Sequence, residues 1–91
     1  MQKQDDLKVY AIFDKKSQMY DTPFFAISDL FAKRRYLLMS EENGPLKKWP
    51  EDFQLHRLGA FSQNNGELSQ DTEIIFETTH KGENNEISDA T

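Results

Sequence analysis

Residues 47–61 read KKWPEDFQLHRLGAF, and this stretch decides the fold. Pro50 fixes a corner, because its ring locks its own backbone and disfavours a helical conformation in the residue before it. From residue 53 to 61 the side chains alternate, with Phe53, Leu55 and Arg57 opposite Gln54, His56 and Leu58, which predicts a β-strand. Asn64-Asn65-Gly66 is a hairpin turn signal, and residues 73–78 then predict a final strand.

The N-terminal part of the chain predicts a β-hairpin. Residues 7–14 are rich in β-branched and aromatic types on both alternating faces, as in a central strand: Val9, Ala11 and Phe13 on one side, Tyr10 and Ile12 on the other. Residues 19–26 predict a second strand, in which Pro23 indicates an edge position or a bend.

Between the two hairpins the sequence predicts one helix. Ser28 and Asp29 are candidate N-caps, and Asn43-Gly44-Pro45 ends the helix after about Glu42. At 100° per residue, one apolar face is formed by Ile27, Leu30, Phe31, Leu37 and Leu38. Arg34 falls near the middle of this face. It is therefore expected to pair with a buried carboxylate, to reach the edge of the core, or to lie in an interface.

These elements give the order ββαββ. The predicted fold class is α+β, a small antiparallel sheet of about four strands with one packed helix, and the alternative is an OB-like small barrel. Residues 1–78 are predicted to form a single domain. Residues 1–70 carry ten basic and ten acidic side chains, whereas residues 71–91 carry six acids against one lysine, which gives the net charge of −5. We therefore predict a disordered acidic C-terminal tail over residues 79–91.

Composition narrows the class of protein. There is no cysteine, so disulfides and thiolate chemistry are excluded. No apolar run approaches the roughly 18 residues that a membrane span needs, and the polar N-terminus does not resemble a signal peptide. We expect a cytoplasmic protein without membrane contact. Because a small domain without disulfides often gains buried area by self-association, a homodimer is also expected.

Catalytic constellations are lacking in the sequence. His56 and His80 have no metal-ligand spacing around them, the adjacent carboxylates point apart, and the serines and glycines form no nucleophile or phosphate-binding motif. We predict no enzyme activity, no catalytic residues, no metal and no cofactor.

Two basic clusters remain, each next to an aromatic residue. Lys33, Arg34 and Arg35 precede Tyr36 on the predicted helix, and Lys47 and Lys48 precede Trp49 in the predicted loop before the long strand. Cations that meet phosphates beside a ring that stacks on bases suit single-stranded nucleic acid. The competing interpretation is that Trp49 caps the core and that the charged side chains form an ordinary solvated surface.

Several segments carry a family resemblance. They are KVYAIFD at residues 8–14, PFF at 23–25, AKRRY at 32–36, WPEDFQLHRLGAF at 49–61, and Gly66. Over roughly residues 8–68 the chain resembles the small non-structural protein of gokushovirus-type microviruses, which are phages with circular single-stranded DNA. It departs from the family pattern at Lys33, where an apolar residue is usual, and at Trp49, where tyrosine is common.

The resemblance implies a phage protein that is not built into the virion and acts in the host cytoplasm in viral DNA replication or single-stranded genome synthesis. The expected partners are single-stranded DNA or phage and host replication proteins. The alternative is a non-catalytic protein–protein adaptor that makes no nucleic-acid contact.

Overall fold

The computed structural model describes residues 6–42 and 44–78. Its strands are β1 (Asp6–Asp14), β2 (Met19–Tyr20), β3 (Phe24–Ala26), β4 (Phe53–Ser62) and β5 (Leu68–Glu77). Helix α1 spans Asp29–Met39 and the short helix α2 spans Pro45–Lys48, followed by a 3₁₀ turn at Pro50–Asp52. The predicted tail, residues 79–91, lies outside the described residues.

The strands form one open antiparallel sheet, which confirms the α+β class and not the barrel alternative. The order across the sheet is β2-β1-β4-β5, and β3 pairs with β1 beside β2. β1 is therefore a central strand, as predicted. The predicted second strand is divided into β2 and β3, with Pro23 in the interruption between them. β5 begins five residues earlier than predicted and forms one edge of the sheet among the described residues.

The β4–β5 hairpin turns where the sequence predicts it. Gly66 donates its backbone N–H to the Ser62 carbonyl at 2.7 Å and adopts a φ of 78°, which favours glycine. Within the sheet, Gly59 lies at an irregularity of the β4–β5 register. A Cβ at this position would meet the backbone oxygen of Ser69 at 1.8 Å, so the close approach of the two strands requires glycine.

The hydrophobic core lies between α1 and one face of the sheet. It is formed by Tyr10, Ile12, Phe24, Ala32, Tyr36 and Leu55. Leu46 of α2 packs against the same cluster, so both helices cover the same face of the sheet. The helix contributes Ala32 and Tyr36, which are four residues apart and therefore lie on one side of it.

The predicted apolar helix face points away from this core. Ile27, Leu30, Phe31, Leu37 and Leu38 are between 42% and 66% exposed. The side of the helix that packs on the sheet is instead the one with Ala32 and Tyr36, because small Ala32 lets the helix approach the sheet and Tyr36 fills the space beside it. The helix also ends earlier than predicted: Ser40 is its C-cap, and Glu41 and Glu42 bond back to Leu38 and Met39 in a tighter turn.

Candidate nucleic-acid interface

Helix α1 distributes its three cations around its circumference. Ser28 caps the helix through its side-chain oxygen, which accepts from the Phe31 N–H, and with Tyr36 facing the sheet the neighbouring positions lie on the flanks. The Lys33 ammonium is 4.7 Å from the ring centre of Phe76 on β5. The Arg35 guanidinium is 4.7 Å from the ring centre of Phe24 on β3. Lys33 and Arg35 therefore hold their charges over aromatic rings at opposite flanks of the helix.

Arg34 is exposed and points outward with the apolar helix face. Its guanidinium lies 5.8 Å from the ring centre of Phe31. The sequence predicts three possible arrangements for Arg34. Two of them, pairing with a buried carboxylate and a position at the edge of the core, are not observed among the described residues. The arginine that pairs with carboxylates in the described part of the chain is Arg57.

Tyr36 does not belong to the accessible surface. Its side chain is 1% exposed, and its ring meets that of Phe76 edge-to-face at 5.5 Å. Burial, with a smaller effect from the charge of Glu77, raises the pKa of the Tyr36 phenol to about 12. The ring cannot stack on a base in this fold, so that part of the predicted site does not stand.

The second basic cluster lies on α2 rather than in a loop. Gly44 adopts a φ of 148° and Pro45 occupies the first helical position. Proline suits this position because the backbone N–H that it lacks would have no partner within the helix. Trp49 ends this turn by donating its N–H to the Pro45 carbonyl at 2.8 Å. Its indole is 52% exposed, and the Lys48 ammonium lies 5.7 Å from the ring centre. Trp49 is thus an accessible ring beside cations and not a cap on the core.

A shallow groove follows α2. It is lined by Gly44, Pro45, Lys47, Lys48 and Trp49. The groove joins two cations to one exposed indole, a combination that many proteins use to bind single-stranded nucleic acid.

The cations of both clusters have no carboxylate partner in the part of the chain that the structure describes. Among residues 6–42 and 44–78, the salt bridges involve Lys15 with Glu77, and Arg57 with Asp29 and Glu73. The five basic residues of α1 and α2 have no acidic side chain within 4.0 Å in that part of the chain. Their charges are therefore available to an anionic partner.

Sequence reasoning missed a polar network on the helix side of the sheet. The Tyr10 hydroxyl donates to Asp29 Oδ1 at 2.6 Å, and Arg57 donates to Asp29 Oδ2 at 2.8 Å and to Glu73 Oε1. Burial alone would raise the pKa of Asp29, but the hydrogen bonds from Tyr10 and Arg57 and nearby positive charge outweigh it and lower that pKa. Burial and the bond to Asp29 raise the pKa of Tyr10. The network fixes the start of α1 on β1 and β4. The available signal was an aspartate at the predicted helix start together with an arginine on the apolar side of β4.

A second chain of hydrogen bonds lies on the other face of the sheet. The His56 Nε2–H donates to Gln54 Oε1 at 2.8 Å, which leaves Nδ1 to accept from the Tyr20 hydroxyl at 2.8 Å. Gln54 in turn donates to Glu77 at 2.9 Å. Burial lowers the pKa of His56, against an opposing effect of Glu77. A neutral imidazole with both nitrogens bonded has a structural role.

The described residues contain no group of three or more histidine, aspartate or glutamate side chains placed to hold a metal ion. No helix within the described ranges is long and apolar enough to span a membrane.

The model of the family described as Phage ORF5 protein matches residues 7–80, which is most of the chain. The chain belongs to the Phage ORF5 protein family. The match includes all of the sheet except Asp6, both helices and every basic residue of the two clusters. Searches of curated proteins and of solved structures each returned no significant match.

Proposed function

We propose that this member of the Phage ORF5 protein family is a non-structural, non-catalytic factor of a gokushovirus-type microvirus. It acts in the host cytoplasm in viral DNA replication or single-stranded genome synthesis, by binding single-stranded DNA or the replication complex. The observation that carries the proposal is the exposed Trp49 beside Lys47 and Lys48, at the end of a short helix that packs on the same face of the sheet as α1.

The expected roles follow from exposure. Lys47, Lys48, Arg34 and Arg35 meet phosphates, with Lys33 contributing from its half-buried position. Trp49 stacks on a base without sequence preference, which is worth roughly 1–3 kcal/mol. Between residues 33 and 48 five basic side chains face two acidic ones, Glu41 and Glu42, so this segment is positive within a protein of net charge −5. Such charge separation favours an anionic partner on the helix side.

A second candidate function is a protein–protein adaptor. The outward face of α1 favours it, because Leu30, Phe31, Leu37 and Leu38 expose apolar surface that water solvates poorly. In this case Arg34 would pair with a carboxylate of the partner, and no nucleic acid would bind.

Fluorescence anisotropy with a labelled single-stranded oligonucleotide distinguishes these functions. The full chain should bind at about 50 mM salt and weaken as salt rises, with a slope of roughly 0.7 per phosphate contact. The same titration with a variant that lacks residues 79–91 tests whether the acidic segment competes with DNA. If neither protein binds at about 50 mM salt, DNA binding is excluded and the adaptor function is favoured.

Variants then locate the site. Replacing Lys47 and Lys48 together by alanine should weaken binding to every sequence and reduce the salt slope by about 1.4. Trp49→Ala should weaken binding by about 5- to 150-fold while leaving the slope nearly unchanged. Lys8→Ala is the matched control, because Lys8 lies on β1 far from α2 in the register of the sheet. A double variant that binds as the wild type does would remove these residues from the site.

A further inference from the structure

The face of the sheet opposite the helices is largely apolar. The register places on it a set of side chains from all five strands: Val9, Phe13, Tyr20, Phe25, His56, Phe61, Leu68 and Ile74. We call this surface the open sheet face. Its aromatic rings contact one another, with Phe13 and His56 stacked at 5.0 Å and Phe25 meeting Phe61 at 5.6 Å.

No element of the described chain covers the open sheet face. Both helices pack on the other side, around Tyr10 and Leu55. Phe25 and Ile74 are accordingly 48% and 51% exposed, and Leu68 is exposed still more. An antiparallel sheet with one solvated face normally presents polar residues there, so apolar side chains in these positions indicate that the face is covered in the functional state.

The charge on this face indicates what covers it. Its ion pair is Lys15 with Glu77, at one end of the face, and the pair is neutral overall. The unpaired cations of α1 and α2 lie on the opposite side of the sheet. Nucleic acid would therefore find few cations for its phosphates on this face of the described sheet. A second copy meets an apolar surface around Phe25, Phe61 and Leu68, whereas the polar groups at the other end of the face, including His56 and Gln54, are bonded to one another. Among the described residues the charged groups noted on this face are the paired Lys15 and Glu77, so like-charge repulsion between two copies is small. Self-association through the outward face of α1 would instead bring two copies of Arg34 together, and their like charges would repel.

The size of the open sheet face suits a stable interface. β1, β4 and β5 have 9 to 10 residues each, which is roughly 30 Å at about 3.3 Å per residue. Four strands side by side, at about 4.8 Å each, make the face about 19 Å wide. The flat footprint is roughly 600 Å² per copy, so two copies packed face to face would bury about 1,200 Å² in total, which lies at the lower end of the range for specific interfaces.

We propose that the open sheet face is the interface of a homodimer, in which the sheets of two copies pack face to face. Two apolar sheet faces pack about 10 Å apart with interdigitated side chains, as in a β-sandwich. The helices of both copies then lie on the outside, and the basic side of each remains accessible. The proposal does not depend on nucleic-acid binding.

Sedimentation velocity of the full chain tests the interface. At about 100 μM the wild type should have about twice the chain mass of 10.7 kDa. Phe25→Glu should raise the dimer dissociation constant about a hundredfold or more, because a carboxylate would be buried without a partner. Leu68→Glu, at a more exposed position of the same face, gives a second variant if Phe25→Glu does not fold, and circular dichroism reports folding.

Leu38→Glu is the matched control, since it places the same charge on the outward face of α1. It should remain dimeric. A wild type that is monomeric at about 100 μM overturns the proposal. It is also overturned if both folded sheet-face variants stay dimeric, or if Leu38→Glu dissociates the dimer.

Discussion

Gly59 is the position where one methyl group should disturb the sheet most. It pairs with Val9 of β1 on one side and with Gln70 of β5 on the other, at register irregularities of both pairings. In Gly59→Ala, the new Cβ would lie 1.8 Å from the carbonyl oxygen of Ser69 and 2.9 Å from its carbonyl carbon. Ordinary contact begins at 3.4 Å, so the strands must separate by about 1.6 Å.

The cost is high because the obstacle is backbone. A flexible side chain could turn away, whereas moving Ser69 displaces β5 together with Phe76, which packs on Tyr36, and Glu73, which bonds to Arg57. Overpacking costs typically 1–3 kcal/mol, and we expect about 3 kcal/mol here. A domain of this size has a free energy of unfolding of roughly 5–10 kcal/mol, so the variant loses a large fraction of it.

Urea unfolding followed by far-ultraviolet circular dichroism measures the loss. Gly66→Ala is the matched control: nothing lies within 4 Å of its added Cβ, but its φ of 78° disfavours alanine, and about 1 kcal/mol is expected from that strain. Gly59→Ala should therefore have the lower urea midpoint. A Gly59→Ala protein within about 0.5 kcal/mol of the wild type would refute the reasoning, as would a larger effect of Gly66→Ala.

Three further predictions concern polar side chains. Tyr36→Phe should raise the free energy of unfolding by about 1 kcal/mol in urea titrations, because the buried Tyr36 hydroxyl has no hydrogen-bond partner among the described residues; a loss of stability would contradict this. Asp29→Asn should cost about 1–2 kcal/mol at pH 7 by weakening the bonds to Tyr10 and Arg57. Since the pKa of Asp29 is lowered in the fold, the difference in stability between the wild type and Asp29→Asn should vanish as the pH falls from about 4 through the pKa of Asp29 in the folded protein. A difference in stability that does not change with pH would exclude the charge of Asp29 as its cause. The pKa of His56 is also lowered, from 6.5, so the contribution of this residue to the free energy of unfolding is complete above pH 6.5 and falls as the pH drops below it. The urea midpoints at pH 7.5 and 5.5 should therefore differ less in His56→Gln than in the wild type. An unchanged difference between the two midpoints would contradict the assignment.

Much of the fold is readable from local sequence signals. The alternation in β1 separates Tyr10 and Ile12 from Val9, Ala11 and Phe13, and the structure places the two sets on opposite faces of a central strand. Ser28 caps α1, and Gly66 turns the β4–β5 hairpin. Each of these features depends on residues that are close together in the chain, so the local sequence is enough to predict it.

The orientation of α1 was not readable. The helical period identifies Leu30, Phe31, Leu37 and Leu38 as one apolar face, but it does not specify which face meets the sheet. The shapes of the side chains decide the packing. Ala32 and Tyr36 lie on one side of the helix and pack with Phe24 and Phe76 of the sheet. An open sheet face with its own apolar residues makes the ambiguity worse, because the chain has more apolar surface than one core can hold.

The candidate site was readable in part. Trp49 and the cations of both clusters were found from composition and spacing, and the structure shows Trp49, Arg34, Arg35, Lys47 and Lys48 to be exposed. The burial of Tyr36 follows from the orientation of α1 and could not be foreseen without it. The pairing of Arg57 with Asp29 joins residues 28 positions apart, and only the tertiary fold brings them together.

β5 has a consequence for how the protein behaves at high concentration. As an edge strand of the described sheet, it presents backbone groups that could recruit the edge of another sheet and begin a fibre. Its sequence there is Ser69-Gln70-Asp71-Thr72-Glu73, which is polar and acidic, and charged side chains along an edge repel an identical edge. Growth of the sheet by addition of identical strands is thereby disfavoured at β5, which lowers the tendency of concentrated protein to polymerise through this edge.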